Sequence, residues 1–204
     1  MAEYAIGSPG DALRIGVLPS AFNPPTIAHL ALASAAEQHA RLDQVIFALP
    51  RELPHKCFEG ASPEQRIDML RAALEGQPGR GVVLTDSGLF IEIWKELRDL
   101  HRPGAEIFLI CGKDAAQRVA AWDYGCGPSF EDQLQEFTLL VGDREGRYLP
   151  DPRWGERVQA LFLPDELDAV SSANLRQRRR RNEDWQALTV PAVARLIGRW
   201  NLYR

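Results

Sequence analysis

The sequence predicts an α/β fold, a doubly wound, mainly parallel sheet with helices at the C-terminal end. Short, continuous apolar runs alternate with helix-length segments almost throughout the chain. Runs of that kind are strands buried on both faces, as in a parallel sheet covered by helices. No internal repeat and no linker interrupts the alternation, and 204 residues with 45% hydrophobic content suffice for one sizeable core.

Residues 1–12 read as a flexible tail punctuated by Gly7, Pro9 and Gly10, and residues 13–204 as a single domain. LRIGVL (13–18) is the first strand and the Ala- and Leu-rich TIAHLALASAAEQHA (26–40) the first helix. QVIFAL (44–49) is the second strand. Ser62 and Pro63 open a helix over 62–75, a capping side chain followed by proline at the first helical position. VVLTD (82–86) is followed by a helix over 91–102, and EIFLICG (106–112) by one over 114–122. EFTLLVG (136–142) and QALFLP (159–164) are the last strands, and helices over about 172–181 and 190–200 close the chain. Right-handed crossovers would place the loops after Leu18, Leu49, Gly112 and Pro164 on one rim, where such sheets bind ligands.

Twenty-four Lys and Arg against 28 Asp and Glu give a net charge of −4, which argues against a polycation that coats nucleic acid. No run approaches the length of a membrane span, and the acidic, apolar-poor start does not read as a secretory signal. The three cysteines, Cys57, Cys111 and Cys126, lack CxxC spacing and fit a reducing cytoplasm better than a disulfide framework or a zinc ribbon.

Four segments on the expected rim carry chemistry. In PSAFNPPTIAHL (19–30) the prolines force an extended turn, Thr26 starts a helix, and His29 follows three positions later on the same face. A hydroxyl, an imidazole and the helix amides would then meet an anion; the plainer alternative is a capping threonine with a structural histidine. In AVSSANLRQRRRR (169–181) Ser171 or Ser172 caps a helix and Arg176 lies four residues after Ser172, which suits a polyphosphate. The run Arg178–Arg181 reads equally as a solvated face. LPRELPHK (49–56) brings Lys56 to the rim, and CGKDAAQRVAAW (111–122) offers Gly112 for close approach and Asp114 as a cap. Trp122 either stacks on an aromatic ligand or fills the core, the commoner fate.

Together these segments resemble the HxGH-type nucleotidyltransferases, and within them the nicotinate/nicotinamide mononucleotide adenylyltransferases. FNPPTIAHL resembles that family's F-[ND]-P-x-[HT]-x-x-H-L, and SSANLR its S-[ST]-x-x-[IL]-R. PHK, GKD with a downstream Trp, and the ending VPAVARLIGRWNLYR resemble its bacterial branch. Two departures stand out. Pro19 and Ser20 occupy positions that are usually small, often Gly-Gly, and Phe90-Ile91-Glu92-Ile93 lacks both hydroxyls of the acceptor-binding T-x-[DE]-T.

The resemblance implies a Rossmann-like nucleotidyltransferase fold and transfer of AMP from ATP to a pyridine mononucleotide, giving a dinucleotide and pyrophosphate in NAD biosynthesis. It implies catalytic roles for His29 and Thr26. ATP contacts would come from Ser20, Ala21, Phe22, Lys56, Gly112, Asp114, Ser171, Ser172 and Arg176. Acceptor contacts would come from Asn23, Glu92, Trp122 and Arg144. Mg2+ would accompany ATP, bound by phosphate oxygens and water, with no protein ligand. Two other readings belong to the same fold: transfer to a different phosphate acceptor, and a nucleotide-binding domain without catalysis. An RNA-binding module built on QRRRRN is disfavoured by the acidic total and by the absence of aromatics in that run. Neither membrane nor nucleic acid is an expected partner, and the sequence leaves the oligomeric state open.

Overall fold

A computed structural model describes residues 1–51, 60–143 and 146–204. In chain order its strands are β1 (Glu3–Ile6), β2 (Arg14–Pro19), β3 (Gln44–Pro50), β4 (Arg80–Thr85), β5 (Glu106–Gly112), β6 (Thr138–Gly142) and β7 (Val158–Leu161). Its helices are α1 (Ile27–Ala40), α2 (Pro63–Leu74), α3 (Phe90–Leu100), α4 (Lys113–Ala120), the single turn α5 (Phe130–Gln133), α6 (Ser172–Arg180) and α7 (Pro191–Arg199).

The strands form one sheet in the order β1-β4-β3-β2-β5-β6-β7. All neighbours are parallel except β1, which runs antiparallel to β4. The chain winds outward from β2 through β3 to β4, returns to β5 beside β2, and winds the other way through β6 to β7. The reversal between β2 and β5 is the topological switch point, and a crevice there opens at the carboxyl ends of both strands.

Alternation along each strand divides the core. Ile15, Val17, Ile107 and Leu109 point to the side of Ile93 and Leu97 on α3, while Leu18, Phe108 and Ile110 point to the side of Leu32, Ala33 and Ala36 on α1. A third cluster joins α2 to the C-terminal helices through Met69, Ala73, Leu175, Trp185, Val193, Ile197 and Tyr203.

The reading of residues 1–12 as a flexible tail is corrected by β1. Glu3 pairs with Leu84 and Tyr4 with Val83, and Ala2 is buried. The Tyr4 hydroxyl lies 2.8 Å from His101 Nε2, while His101 Nδ1 lies 2.6 Å from the Leu97 carbonyl. A carbonyl only accepts, so Nδ1 carries the proton and Nε2 accepts from Tyr4. Gly7, Pro9 and Gly10 mark the turn after this short strand rather than a disordered lead. Among the described residues no helix is long and apolar enough to cross a membrane.

Candidate active site at the switch point

The loop from β2 to α1 leaves the sheet at Pro19. Ser20 N–H is bonded to Ala48 O at 3.1 Å, extending the ladder to β3. The backbone amide of Ser20, one of the expected ATP contacts, is therefore occupied within the sheet. Ala21 and Phe22 keep backbone N–H groups to which no partner is assigned among the described residues. Phe22 has a φ of 45°, a left-handed conformation uncommon for a bulky residue and a frequent mark of a functional turn. Its side chain is fully buried between Phe47 and the His29 ring, at centroid distances of 5.5 and 5.1 Å. Only the backbone of Phe22 is therefore left for ATP, and its ring backs the imidazole.

Thr26 is the N-cap of α1, and its backbone N–H donates to His29 Nδ1 at 3.1 Å. Nδ1 is thus the unprotonated nitrogen, and the proton of the neutral ring sits on Nε2. Thr26 Oγ1, 2.8 Å from the same Nδ1, also donates to it, and Nε2 faces Ser20 Oγ at 3.3 Å. Thr26 is 1% exposed, so its hydroxyl stands behind the imidazole rather than beside it. The expectation that both groups point at a phosphate is corrected accordingly: Thr26 orients His29.

The C-terminal segment grips the Asn-Pro-Pro turn through consecutive carbonyls. Arg176 Nη1 donates to Asn23 O, Ser172 Oγ to Pro24 O and Thr189 Oγ1 to Pro25 O, each at 2.7 Å. The Asn23–Pro24 peptide bond is cis. Ser171, not Ser172, caps α6, accepting Asn174 N–H at 3.0 Å. The Ser172 hydroxyl proton is spent inside the protein, so Ser172 holds the turn and does not donate to a phosphate while that bond stands. The buried Tyr203 hydroxyl donates to Asn23 Oδ1 at 2.6 Å. Burial pushes that phenol well above its ordinary range, against the pull of Arg176 and Arg66 nearby.

Across the switch point, Gly112 ends β5 and is itself the N-cap of α4. A Cβ there would enter open space, as a close-approach position requires. Asp114 is the second residue of α4 and exposed, which corrects its reading as the cap. Trp122 lies past the end of α4 and is 39% exposed, so core packing is not its role. Glu92, on α3, pairs with Lys95 at 3.0 Å. Phe90 and Ile93, where the acceptor motif carries hydroxyls, are buried in the core and have no face to offer a ligand. Lys56 and Arg144 lie outside the described residues. The structure thus gathers Ser20, Ala21, Phe22, Asn23, Thr26, His29, Ser172 and Arg176 around one turn. Gly112 and Asp114 stand at the neighbouring strand end, Glu92 on α3 and Trp122 past the end of α4.

Sequence reasoning missed Arg66, Thr189 and Tyr203. Arg66 is 1% exposed, with its guanidinium near Ser62 O and Ala21 O, each at 3.4 Å, and burial lowers its pKa. Its helical position, three and four residues before Met69 and Leu70, already places it on the buried face of α2.

Residues 17–178 match the family model described as cytidylyltransferase-like. The chain is 32% identical over 198 residues to the probable nicotinate-nucleotide adenylyltransferase of Exiguobacterium sibiricum, covering 94% of this chain and 99% of that one. Its counterpart in Carboxydothermus hydrogenoformans is 30% identical over 206 residues, covering 94% and 98%. In fold the chain is similar to the Plasmodium falciparum nicotinic acid mononucleotide adenylyltransferase, solved in complex with NaAD, with a TM-score of 0.72, 16% identity and coverage of 93% and 97%. A reversed sheet with its histidine-bearing helix start at the switch point, and likeness along nearly the whole chain, have one reading: the chain belongs to the cytidylyltransferase-like nucleotidyltransferases, among the nicotinate-nucleotide adenylyltransferases.

Proposed function

We propose that the protein transfers AMP from ATP to a pyridine mononucleotide, giving the dinucleotide and pyrophosphate, as a step of NAD biosynthesis. The observation that carries this is the presentation of the His29 Nε2–H at the switch point, in a chain similar to nicotinate-nucleotide adenylyltransferases over nearly its full length. The nicotinate form of the acceptor is the one those relatives are named for.

In the reaction an oxygen of the acceptor's 5′-phosphate forms a bond to the α-phosphorus. The bond from that phosphorus to the bridging oxygen breaks, and its electron pair leaves with pyrophosphate. No protein nucleophile is needed, so catalysis consists of alignment and charge stabilisation. His29 Nε2–H donates to an oxygen of the transferring phosphate, and Thr26 fixes the ring that does so. The Ala21 and Phe22 amides and the N-terminal turn of α1 face the same group. Arg176, with one nitrogen bound to Asn23 O, turns the rest of its fork to the β- and γ-phosphates, assisted by the amides at the start of α6 and by Lys56. Gly112 and Asp114 take the ATP ribose; Asn23, Glu92, Trp122 and Arg144 serve the acceptor.

Among the described residues no three His, Cys, Asp or Glu side chains group together as a metal site. The donors at the turn are amides, an imidazole and a guanidinium, which suit phosphate oxygens. Mg2+ fits as part of the substrate MgATP, where it neutralises phosphate charge.

Pyrophosphate release from ATP, measured with nicotinate and nicotinamide mononucleotide side by side, tests the proposal. Release with either supports it; none with either, while a different phosphate acceptor is turned over, replaces the acceptor. A second reading, nucleotide binding without catalysis, draws on the missing Pro19 N–H and the occupied Ser20 amide. ATP binding by calorimetry with no pyrophosphate from any acceptor would favour it.

A further inference from the structure

We infer that Tyr203 is a positioning residue for adenylyl transfer: it sets the Asn23 carboxamide and the Gly60–Ala61 backbone in one arrangement. The turn leading to His29 is thereby fixed relative to the backbone that leads into α2. The inference rests on the functional reading above and adds to it a residue that lies outside the crevice.

The geometry is specific. Asn23 Oδ1 accepts two donors, the Tyr203 hydroxyl at 2.6 Å and the Ala61 N–H at 3.3 Å. A backbone N–H can only donate, so the atom it meets is the amide oxygen and not the nitrogen; the Tyr203 hydroxyl must then donate as well. The carboxamide is held in one of its two flip states, and the main-chain carbonyl of the same residue is held by Arg176 at 2.7 Å. Asn23 is 7% exposed and Tyr203 6%, so water does not compete for these bonds.

The ring of Tyr203 does the second half of the work. Gly60 has a φ of 108°, and a Cβ on it would lie 2.7 Å from Tyr203 Cε1 and 3.3 Å from Asn23 Oδ1. The Gly60 backbone therefore lies flat against the phenol, in a conformation that glycine alone adopts readily. Residues 60 and 61 lead into α2 at Pro63, so the approach to that helix is pinned to Tyr203 and Asn23 together. Tyr203 itself has a φ of 62°, and Asn201 a φ of 53°. A bulky residue in the left-handed region persists only where its surroundings impose it. Here the ring and hydroxyl are buried among the turn, Gly60 and the third core cluster. Tyr203 touches no reacting atom in this arrangement; it acts through Asn23 and Ala61.

The test is Tyr203→Phe, which keeps the ring against Gly60 and removes only the donor. Expected is a fall in kcat of about tenfold with KM for ATP moving less than about twofold, because misplacement by a fraction of an ångström reduces rate more than binding. In an Asn23→Ala background the same substitution is expected to have no further effect on kcat, since the intermediary is gone. A purely structural role would lower the melting temperature and leave kcat per folded molecule unchanged, and that result overturns the inference. So do two independent, multiplying effects in the double variant. Hydrogen exchange gives a readout independent of turnover. The Ala61 amide and those of residues 27–30 are expected to exchange about tenfold faster in Tyr203→Phe, while β5 amides hold. Unchanged protection overturns the inference even if the parent protein releases no pyrophosphate, whereas an inactive parent by itself overturns the functional reading.

Discussion

The backbone N–H of Thr26 and the Nδ1 of His29 are bonded at 3.1 Å, and this bond settles which nitrogen of the imidazole can donate outward. His29→Ala is expected to lower kcat by about 10²–10³, the scale of losing one transition-state donor. Thr26→Val removes the hydroxyl but keeps the backbone N–H, so a smaller loss of about tenfold is expected. Steady-state rates of pyrophosphate release check both; a His29→Ala variant with parental turnover would remove the histidine from the mechanism.

Arg176, which we propose holds the phosphates of ATP, donates to the carbonyl of Asn23 at 2.7 Å. Arg176→Ala is expected to weaken ATP binding by about tenfold or more and to cost about 1–3 kcal/mol of stability, since a half-buried carbonyl loses a charge-assisted bond. Arg176→Lys keeps the charge without the fork and is expected to fall between. Calorimetric titration with ATP and urea unfolding separate the two effects.

Trp122 is 39% exposed, so part of its ring is open to a ligand while the rest packs on the protein. Trp122→Ala is expected to cost about 1–3 kcal/mol of stability through the lost packing. If its ring stacks on the pyridine, KM for the acceptor rises about tenfold while KM for ATP holds. An unchanged acceptor KM would place the pyridine elsewhere.

His101 is buried, and desolvation holds its pKa below the ordinary 6.5. The unfolded chain therefore binds more protons than the folded one as pH falls below about 6.5. Stability is expected to fall with pH across that window and to level off below the folded value. Because a protonated Nε2 cannot accept from Tyr4, β1 is expected to loosen first. Melting curves from pH 8 to about 5, compared with His101→Gln, check this; the variant's stability should vary less over the same range.

The alternation of apolar runs and helices was legible because parallel strands and amphipathic helices write their periods directly into sequence. The strands β2 to β7 lie within a few residues of their expected positions. β1 was not legible: four residues form a strand only because β4 offers a free edge, a tertiary fact. The site divided in the same way. Which residues surround the turn could be read from FNPPTIAHL and SSANLR, but not which way each hydroxyl points. The sequence points the Thr26 and Ser172 hydroxyls toward a ligand, whereas both spend their protons on protein acceptors. For Trp122 the sequence leaves stacking on a ligand and core packing both open, because apolarity says nothing about exposure at a helix end; its 39% exposure removes the second. Phe90 and Ile93 are explained in retrospect, since this chain turns those positions of α3 into its core.

The Asn-Pro-Pro turn is fastened by partners 148 to 180 positions further along the chain. Contacts so distant in sequence close late, after the sheet's local pairings are in place. During synthesis, β2 and α1 would emerge from the ribosome with the turn's carbonyls unclaimed until α6, Thr189 and finally Tyr203 followed. A nascent or prematurely terminated chain would then carry every residue of the FNPPTIAHL signature and still lack a rigid nucleotide seat.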